Sequence, residues 1–341
     1  MYADGSLSNG QVELVWNKGI AALCDRRFPD EFPDGTNYVQ APRFAGALAS
    51  RWLPDDLIAP SDSHGEIREG EVVWVRLSWL KSFEKQVLPF VKDTLTLVTA
   101  DSDSCVPSDL GTLGERVLRS GKVKHWYTQN YDGSGPLNRV SPLPIGIDFH
   151  MLSEKPLWGE EISSPLEQEQ ILLTVRRSLP PLLERQPKVY VDFGWQGGGV
   201  RRFLDYQRLR GTRLREGRSA IAGKLKKNAI IHFQTGPLPR TEMWRTRGQY
   251  AFVLSPHGKG LDCHRTWEAL ALGHIVLVPS SSLNSLFTDL PVIPLENWSD
   301  INPTNLERWL SLCHGKDSVP ERLKSRYWVN AMRAKVKEAG A

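Results

Sequence analysis

Apolar residues in this chain fall in short unbroken runs set between longer stretches of mixed polarity. The runs over 71–77 (EVVWVRL), 94–100 (TLTLVTA), 124–128, 189–193, 229–234, 251–254, 275–278 and 292–295 are too short for helices and read as buried strands. Between them, apolar residues recur at spacings of three and four over 80–91, 110–120, 218–226, 241–247 and 305–313, and again over 320–339, which predicts helices. Strand–helix alternation of this kind predicts an α/β protein with parallel sheets. The first 70 residues are less legible: helices are expected over 12–24 and 44–53, on either side of a Pro/Asp/Gly-rich loop over 28–37. The polar, acidic stretch 157–169 is the expected linker. Domains are therefore expected over 1–160 and 170–315, with a C-terminal helix within 316–341. A glycine cluster (Gly194, Gly197, Gly198, Gly199) follows the 189–193 strand, but with no helix behind it makes a poor phosphate loop. No internal repeat or low-complexity tract interrupts the pattern.

The pattern is sharpest over 250–273. An apolar run (Ala251, Phe252, Val253, Leu254) enters a polar turn with two glycines. A helix follows, with Trp267, Leu270 and Ala271 on one face and Gly273 where a C-cap glycine belongs. A second apolar run begins at Ile275, so the order is that of a βαβ unit. Such a unit presents its loop and helix N-terminus at the carboxyl edge of a parallel sheet, where backbone N–H groups attract phosphate. His257, Lys259, His264 and Arg265 stand there to meet a diphosphate, and Gly258 and Gly260 let backbone approach it. Glu268, one turn past His264, is a carboxylate able to hold the two hydroxyls of a ribose.

The segment S-P-H-G-x-G-x-D-x-H-R-x-x-E-A-L-x-x-G, from Ser255 to Gly273, resembles the donor-binding segment of exostosin-like glycosyltransferases, their bacterial and algal-virus relatives included. DLPVIPLENWSDI (289–301), HWYTQNYDG (125–133) and PLPIGIDFH (142–150) resemble the same family. The likeness spans roughly residues 72–309 and is dense only in these islands. It implies a GT-B architecture, two Rossmann-like domains facing across a cleft, with the sugar nucleotide held by the C-terminal one. It further implies that Glu268 contacts the ribose and Arg265 the diphosphate, and that transfer proceeds with inversion.

Composition narrows the setting. Of 341 residues, 43 are basic and 39 acidic, a net charge of +4 that permits an anionic donor without arguing for nucleic acid. The four cysteines (Cys24, Cys105, Cys263, Cys313) are scattered, without metal-ligand spacing, and read as thiols in a reducing compartment. No signal peptide is expected from the polar start, and no apolar run nears the ~18–20 residues that span a bilayer. A cytoplasmic protein is expected, with room for peripheral association with the inner face of a membrane that carries its acceptor. Trp74, Trp79, Trp126 and Trp195 sit beside polar residues and could stack on sugar rings, though core packing is the commoner use of tryptophan.

Further candidates lie in loops after the N-terminal strands. Asn130 and Asp132 are expected on the acceptor side, and Asp148, Asp132, Asp103 and His150 are the candidate bases for an inverting transfer, which must take a proton from the acceptor hydroxyl. Asp262 suits either a helix cap or a ligand contact. Arg176 and Arg218 are further phosphate candidates. Asp101-Ser102-Asp103 raises a rival, a GT-A glycosyltransferase holding a divalent metal on paired carboxylates. The expected function is transfer of a sugar from a nucleotide-sugar, UDP foremost, to a glycan or lipid-linked glycan acceptor in surface polysaccharide assembly, with neither metal nor cofactor. A non-catalytic nucleotide- or glycan-binding module on the same fold is the other alternative. A dinucleotide oxidoreductase is disfavoured, because no G-x-G-x-x-G follows an early strand.

Overall fold

The computed structural model describes residues 12–28, 67–136, 138–194, 209–212, 214–313 and 319–338. The helix expected over 44–53, most of the loop over 28–37, Trp195 and Gly197 to Gly199 lie outside the described residues. Among those described, ten strands form two five-stranded sheets with every pairing parallel. The first sheet runs in chain order: β1 (Arg26–Phe28), β2 (Val72–Arg76), β3 (Leu95–Ala100), β4 (Val123–Gln129) and β5 (Val140–Leu143). β2 and β3 are buried throughout, as strands covered on both faces must be. The two strands that the apolar pattern does not reveal are the edges. β1 is three half-buried residues, two of them arginine, and β5 contains Pro142, which an edge strand tolerates because it need not donate on its outer side.

The second sheet comprises β6 (Gln186–Val191), β7 (Ile231–Phe233), β8 (Tyr250–Leu254), β9 (Ile275–Pro279) and β10 (Val292–Leu295), in the order β10-β9-β8-β6-β7. β7 lies on one side of β6 and β8 on the other. The direction of winding thus reverses between β6 and β8, and the crevice outside their carboxyl ends is where ligands of open α/β sheets bind. The α/β class with two Rossmann-like halves, expected from the sequence, is the one observed.

Helices α1 (Asn17–Leu23), α2 (Leu80–Gln86), α3 (Thr112–Arg119) and α4 (Pro165–Ser178) precede the second sheet. Three differ from expectation. α1 begins at Asn17 instead of 12, because Leu14 and Trp16 are extended and bridge to Lys324 and Gly146. α2 stops at Gln86 instead of 91, since Pro89 allows only a 3₁₀ turn beyond it. α4 occupies what reads as linker, so residues 165–169 are helix: Ser164 and Glu167 form a reciprocal capping box, and Pro165 suits the first helical position. Helices α5 (Arg218–Leu225), α6 (Arg240–Arg247), α7 (His264–Ala271) and α8 (Pro303–Cys313) belong to the second sheet. The last, α9 (Ser325–Glu338), returns to pack on α1 and β2 of the first half.

One core spans the first sheet, α9 and the apolar face of α7, with Trp74, Trp126 and Trp267 fully buried inside it. A second lies between the other face of the C-terminal sheet and α5 and α8. Trp74 and Trp126 are therefore core residues. No described helix is long and apolar enough to cross a membrane.

Candidate functional site

The carboxyl edges of the two sheets face each other and touch. Asn130, after β4, accepts at Oδ1 from Asp262 N (2.9 Å) and donates from Nδ2 to Ser102 O (2.8 Å). Asp262 Oδ2 accepts from Ile145 N (2.8 Å), His264 Nδ1 donates to Gly146 O (2.7 Å), and Ser282 Oγ donates to Tyr131 O (2.6 Å). Gly260 packs so closely on Asn130 that a Cβ there would lie 2.5 Å from its amide nitrogen, which accounts for the second glycine of the turn.

At the β6–β8 switch, β6 is followed by Asp192 and Phe193, and β8 leads through Ser255 to Cys263 into α7. Arg265 donates from Nε to Asp192 Oδ1 (2.5 Å), and Arg247 holds the other carboxylate oxygen. Burial opposes charge on both partners, but the pairing prevails: Asp192 is lowered and Arg265 raised from their ordinary pKa values. Arg218, the first residue of α5, comes from the opposite wall and donates from Nε to His257 O (3.2 Å). Both guanidinium carbons sit 5.9 Å from the Phe193 ring centroid, and both approach Cys263 Sγ, Arg265 at 3.6 Å and Arg218 at 3.9 Å. Two half-buried arginines thus converge beside the N-terminus of α7, an arrangement suited to a diphosphate. Lys259 is exposed at the lip of the loop, next to Gly258.

Several expected roles are corrected by this geometry. His257 is no cation: burial brings its pKa down to about 4, its Nδ1 donates to Leu261 O (2.7 Å), and Nε2 faces the Thr212 hydroxyl (3.0 Å). Asp262 does not cap α7. The N-cap is Cys263, without a side-chain bond, and Asp262 accepts instead from Trp267 Nε1 (2.9 Å), Cys263 N (2.8 Å) and Ile145 N, while burial pushes its pKa up to about 6. Arg176 is engaged within the fold. With Arg185 it donates to the last carbonyls of the α7 segment, Ala271 (2.5 Å) and Leu272 (3.2 Å), ahead of Gly273, whose φ of +79° closes the helix as a C-cap glycine should.

Glu268 is not the open carboxylate that its place in the motif suggests. Oε1 accepts from Arg240 Nη2 (2.7 Å), and Oε2 lies 3.4 Å from Trp244 Nε1 and 3.7 Å from Arg247 Nη1. The Arg240 guanidinium lies 4.7 Å from the ring centroids of both Trp158 and Trp244, and donates also to Gln168 Oε1 (2.8 Å) and Asp148 O (2.6 Å). One buried arginine therefore links α7, the crossing helix α4 and the first half of the molecule.

On the first half, Asp148 and His150 form a pair, with His150 Nδ1 donating to Asp148 Oδ1 at 2.9 Å. Burial would raise the Asp148 pKa, but His150, then His264 and Arg240, hold it well below the carboxylate range. Burial would lower the His150 pKa, and Asp148 keeps it above the ordinary imidazole value. The rings of His150 and His264 stand 5.9 Å apart across the two halves. Asp132 is buried and accepts from Ser134 N (2.9 Å), Ser134 Oγ (2.6 Å) and Ser108 N (3.1 Å), bonds that shape its own loop and leave it poorly placed as a base. Asp103 is exposed. Asp101 is engaged by buried Lys18 (2.5 Å) and Arg76, with its pKa held low by those cations against burial. The Asp101 carboxylate is thus already paired with two cations of its own chain. Among the described residues no group of three or more His, Cys, Asp or Glu is gathered as metal ligands would be.

Asp192, Arg240, Arg247 and Lys18 escape a reading of the sequence, since each is a single charged residue whose partner lies far along the chain. Asp192 alone leaves a trace, as an acid directly after a fully apolar strand end.

No protein-family model and no curated protein matches the chain. Among solved structures, similarity is found to a trehalose-6-phosphate protein from E. coli bound with UDP-2-fluoro glucose (10% identity, TM-score 0.34, covering 80% of this chain and 75% of that one). An alpha,alpha-trehalose-phosphate synthase (UDP-forming) from Burkholderia vietnamiensis gives 13% identity and a TM-score of 0.35, over 81% of this chain and 76% of that one. An alpha-glucosyltransferase in complex with UDP and a 13-mer DNA gives 14% and 0.30, over 78% and 75%. Likenesses this slight carry no argument about chemistry, which rests on the residues themselves.

Proposed function

We propose that this chain is a glycosyltransferase of exostosin-like, GT-B type that moves a sugar from a nucleotide-sugar, UDP foremost, to a glycan or lipid-linked glycan acceptor. The observation that carries the reading is the convergence of Arg265 and Arg218 at the β6–β8 switch, beside the N-terminus of α7. A leaving diphosphate there would meet two guanidinium groups and the positive end of the α7 dipole already in place. Preorganised stabilisation of that kind commonly supplies the greater part of an enzyme's rate enhancement. No divalent cation is called for on this reading, and no cofactor.

His150 is the base of this reading. With Nδ1 bound to Asp148, Nε2 is the atom left to take the acceptor hydroxyl proton as that oxygen bonds to the anomeric carbon and the bond to the diphosphate breaks. Asp148 orients the ring. Inversion follows from a single displacement, and assembly of a surface polysaccharide, at a membrane face inside the cell, is the setting that suits the acceptor. Thermal-shift screening against UDP-, GDP-, CMP- and dTDP-sugars tests the donor. Slow hydrolysis of the stabilising sugar nucleotide, persisting in excess EDTA, is the expected result. Binding without hydrolysis would leave a non-catalytic module, and hydrolysis stopped by EDTA and restored by manganese would contradict the metal-free reading.

A further inference from the structure

A nucleoside diphosphate in the crevice just proposed needs a partner for its ribose, and Glu268 has both oxygens engaged by Arg240, Trp244 and Arg247. A cavity of about 660 Å³ opens nearby, lined by Gly211, Thr212, Arg215, Ser280, Ser281 and Glu296. It lies at the carboxyl ends of β9 and β10, on the same sheet edge as the crevice: Ser280 and Ser281 follow β9 directly, and Glu296 follows β10. Two hydrogen bonds join the two spaces. Thr212 Oγ1 in the cavity wall is 3.0 Å from His257 Nε2, and His257 O accepts from Arg218 in the crevice (3.2 Å).

The walls are held in place by the protein's own bonds. Thr212 Oγ1 also reaches Ser280 O (3.0 Å), Ser282 N donates to Gly211 O (2.8 Å), and Ser281 N donates to Asn284 Oδ1 (3.0 Å). Among the described residues the lining offers hydroxyls, one carboxylate and one guanidinium, and no large apolar side chain, which suits a ligand rich in hydroxyls and amide-like edges. Glu296 is exposed and free to accept, and a carboxylate with two open oxygens matches a vicinal diol. Arg215, steadied by donation from Nε to Thr212 O (3.3 Å), offers a flat face on which a base can stack.

We propose that this cavity takes the nucleoside of the donor, and that Glu296, not Glu268, accepts the two ribose hydroxyls. The proposal rests on the nucleotide-sugar reading. Its test is calorimetric titration of the wild type and of Glu296→Gln, a surface change that spares the fold, with UDP, 2′-deoxy-UDP and inorganic pyrophosphate. The wild type is expected to bind UDP about tenfold tighter than 2′-deoxy-UDP, the loss of one charge-assisted hydrogen bond. In Glu296→Gln the two nucleotides should bind nearly alike, with pyrophosphate affinity unchanged. A UDP to 2′-deoxy-UDP ratio that survives the substitution would overturn the assignment, as would equal loss of UDP and pyrophosphate. A wild type that binds pyrophosphate but not UDP contradicts the nucleoside site alone. One that binds neither overturns the underlying function as well.

Discussion

Glu268 shows how a residue can be picked out for one role and placed in another. Its position, one turn into the helix behind a glycine-bearing loop, marks it for a ligand. Its contacts make it the counter-charge of Arg240 and Arg247, both nearly inaccessible to solvent. Removing one member of a buried ion network leaves the others uncompensated, typically at about 3–5 kcal/mol. Glu268→Ala is therefore expected to lower unfolding stability by roughly that amount in urea titrations, whatever it does to nucleotide binding. A variant within about 1 kcal/mol of wild type would show that Arg240 and Arg247 are satisfied without it. Arg265 is different in kind. Asp192 keeps Arg247 when Arg265 is lost, so Arg265 can be truncated to probe ligand binding with the least damage to the fold.

At the scale of elements, local signals are uneven, and the reasons are physical. Interior strands such as β3 and β8 are buried on both faces, so their apolar runs stand out in the sequence. Edge strands β1 and β5 bury less and carry arginine or proline, so nothing in their composition announces them. α4 hides behind its acidic, proline-containing start, although Ser164-Pro165-Leu166-Glu167 spells a capping box. That box can be tested directly: Ser164→Ala leaves the Glu167 N–H without its side-chain acceptor and should cost about 1 kcal/mol, read as a lowered urea midpoint at unchanged m-value. An unaltered midpoint would mean that tertiary packing alone holds the N-terminus of α4. In the site, the loop and helix over 255–271 are legible because they are contiguous. The arginine network is not, because its members come from the loop after β6, from α6 and from α7.

At the scale of the whole molecule, one polar contact between distant segments is sensitive to pH. Glu169 of α4 is buried and accepts at Oε1 from Glu13 N (2.9 Å) and Leu14 N (2.6 Å), fastening the segment before α1 to the crossing helix. Burial pushes its pKa up to about 7 from an ordinary 4.5, against the opposing effect of those two N–H groups. Because the folded state holds this proton more tightly than the unfolded chain, the group's contribution is complete below the unfolded value. It is lost as pH rises through about 7, a change on the order of 3 kcal/mol. Glu169→Gln keeps an oxygen acceptor but cannot titrate. Its stability, followed by denaturant melts between pH 5 and 8, should lack the downward slope that the wild type shows relative to it. Parallel curves for the two proteins would mean that Glu169 is ionised in the fold.

A diphosphate held at the β6–β8 switch by Arg265 and Arg218 is what the proposed activity requires above all. Calorimetric titration of UDP and of uridine into the wild type and Arg265→Ala tests this most directly. A guanidinium forks onto phosphate oxygens and has little to offer the nucleoside. UDP affinity should therefore fall at least about tenfold in Arg265→Ala, the worth of one charge-assisted contact, while uridine affinity stays as it was. An equal loss for both ligands, or UDP affinity unchanged by the substitution, would contradict the placement of the donor.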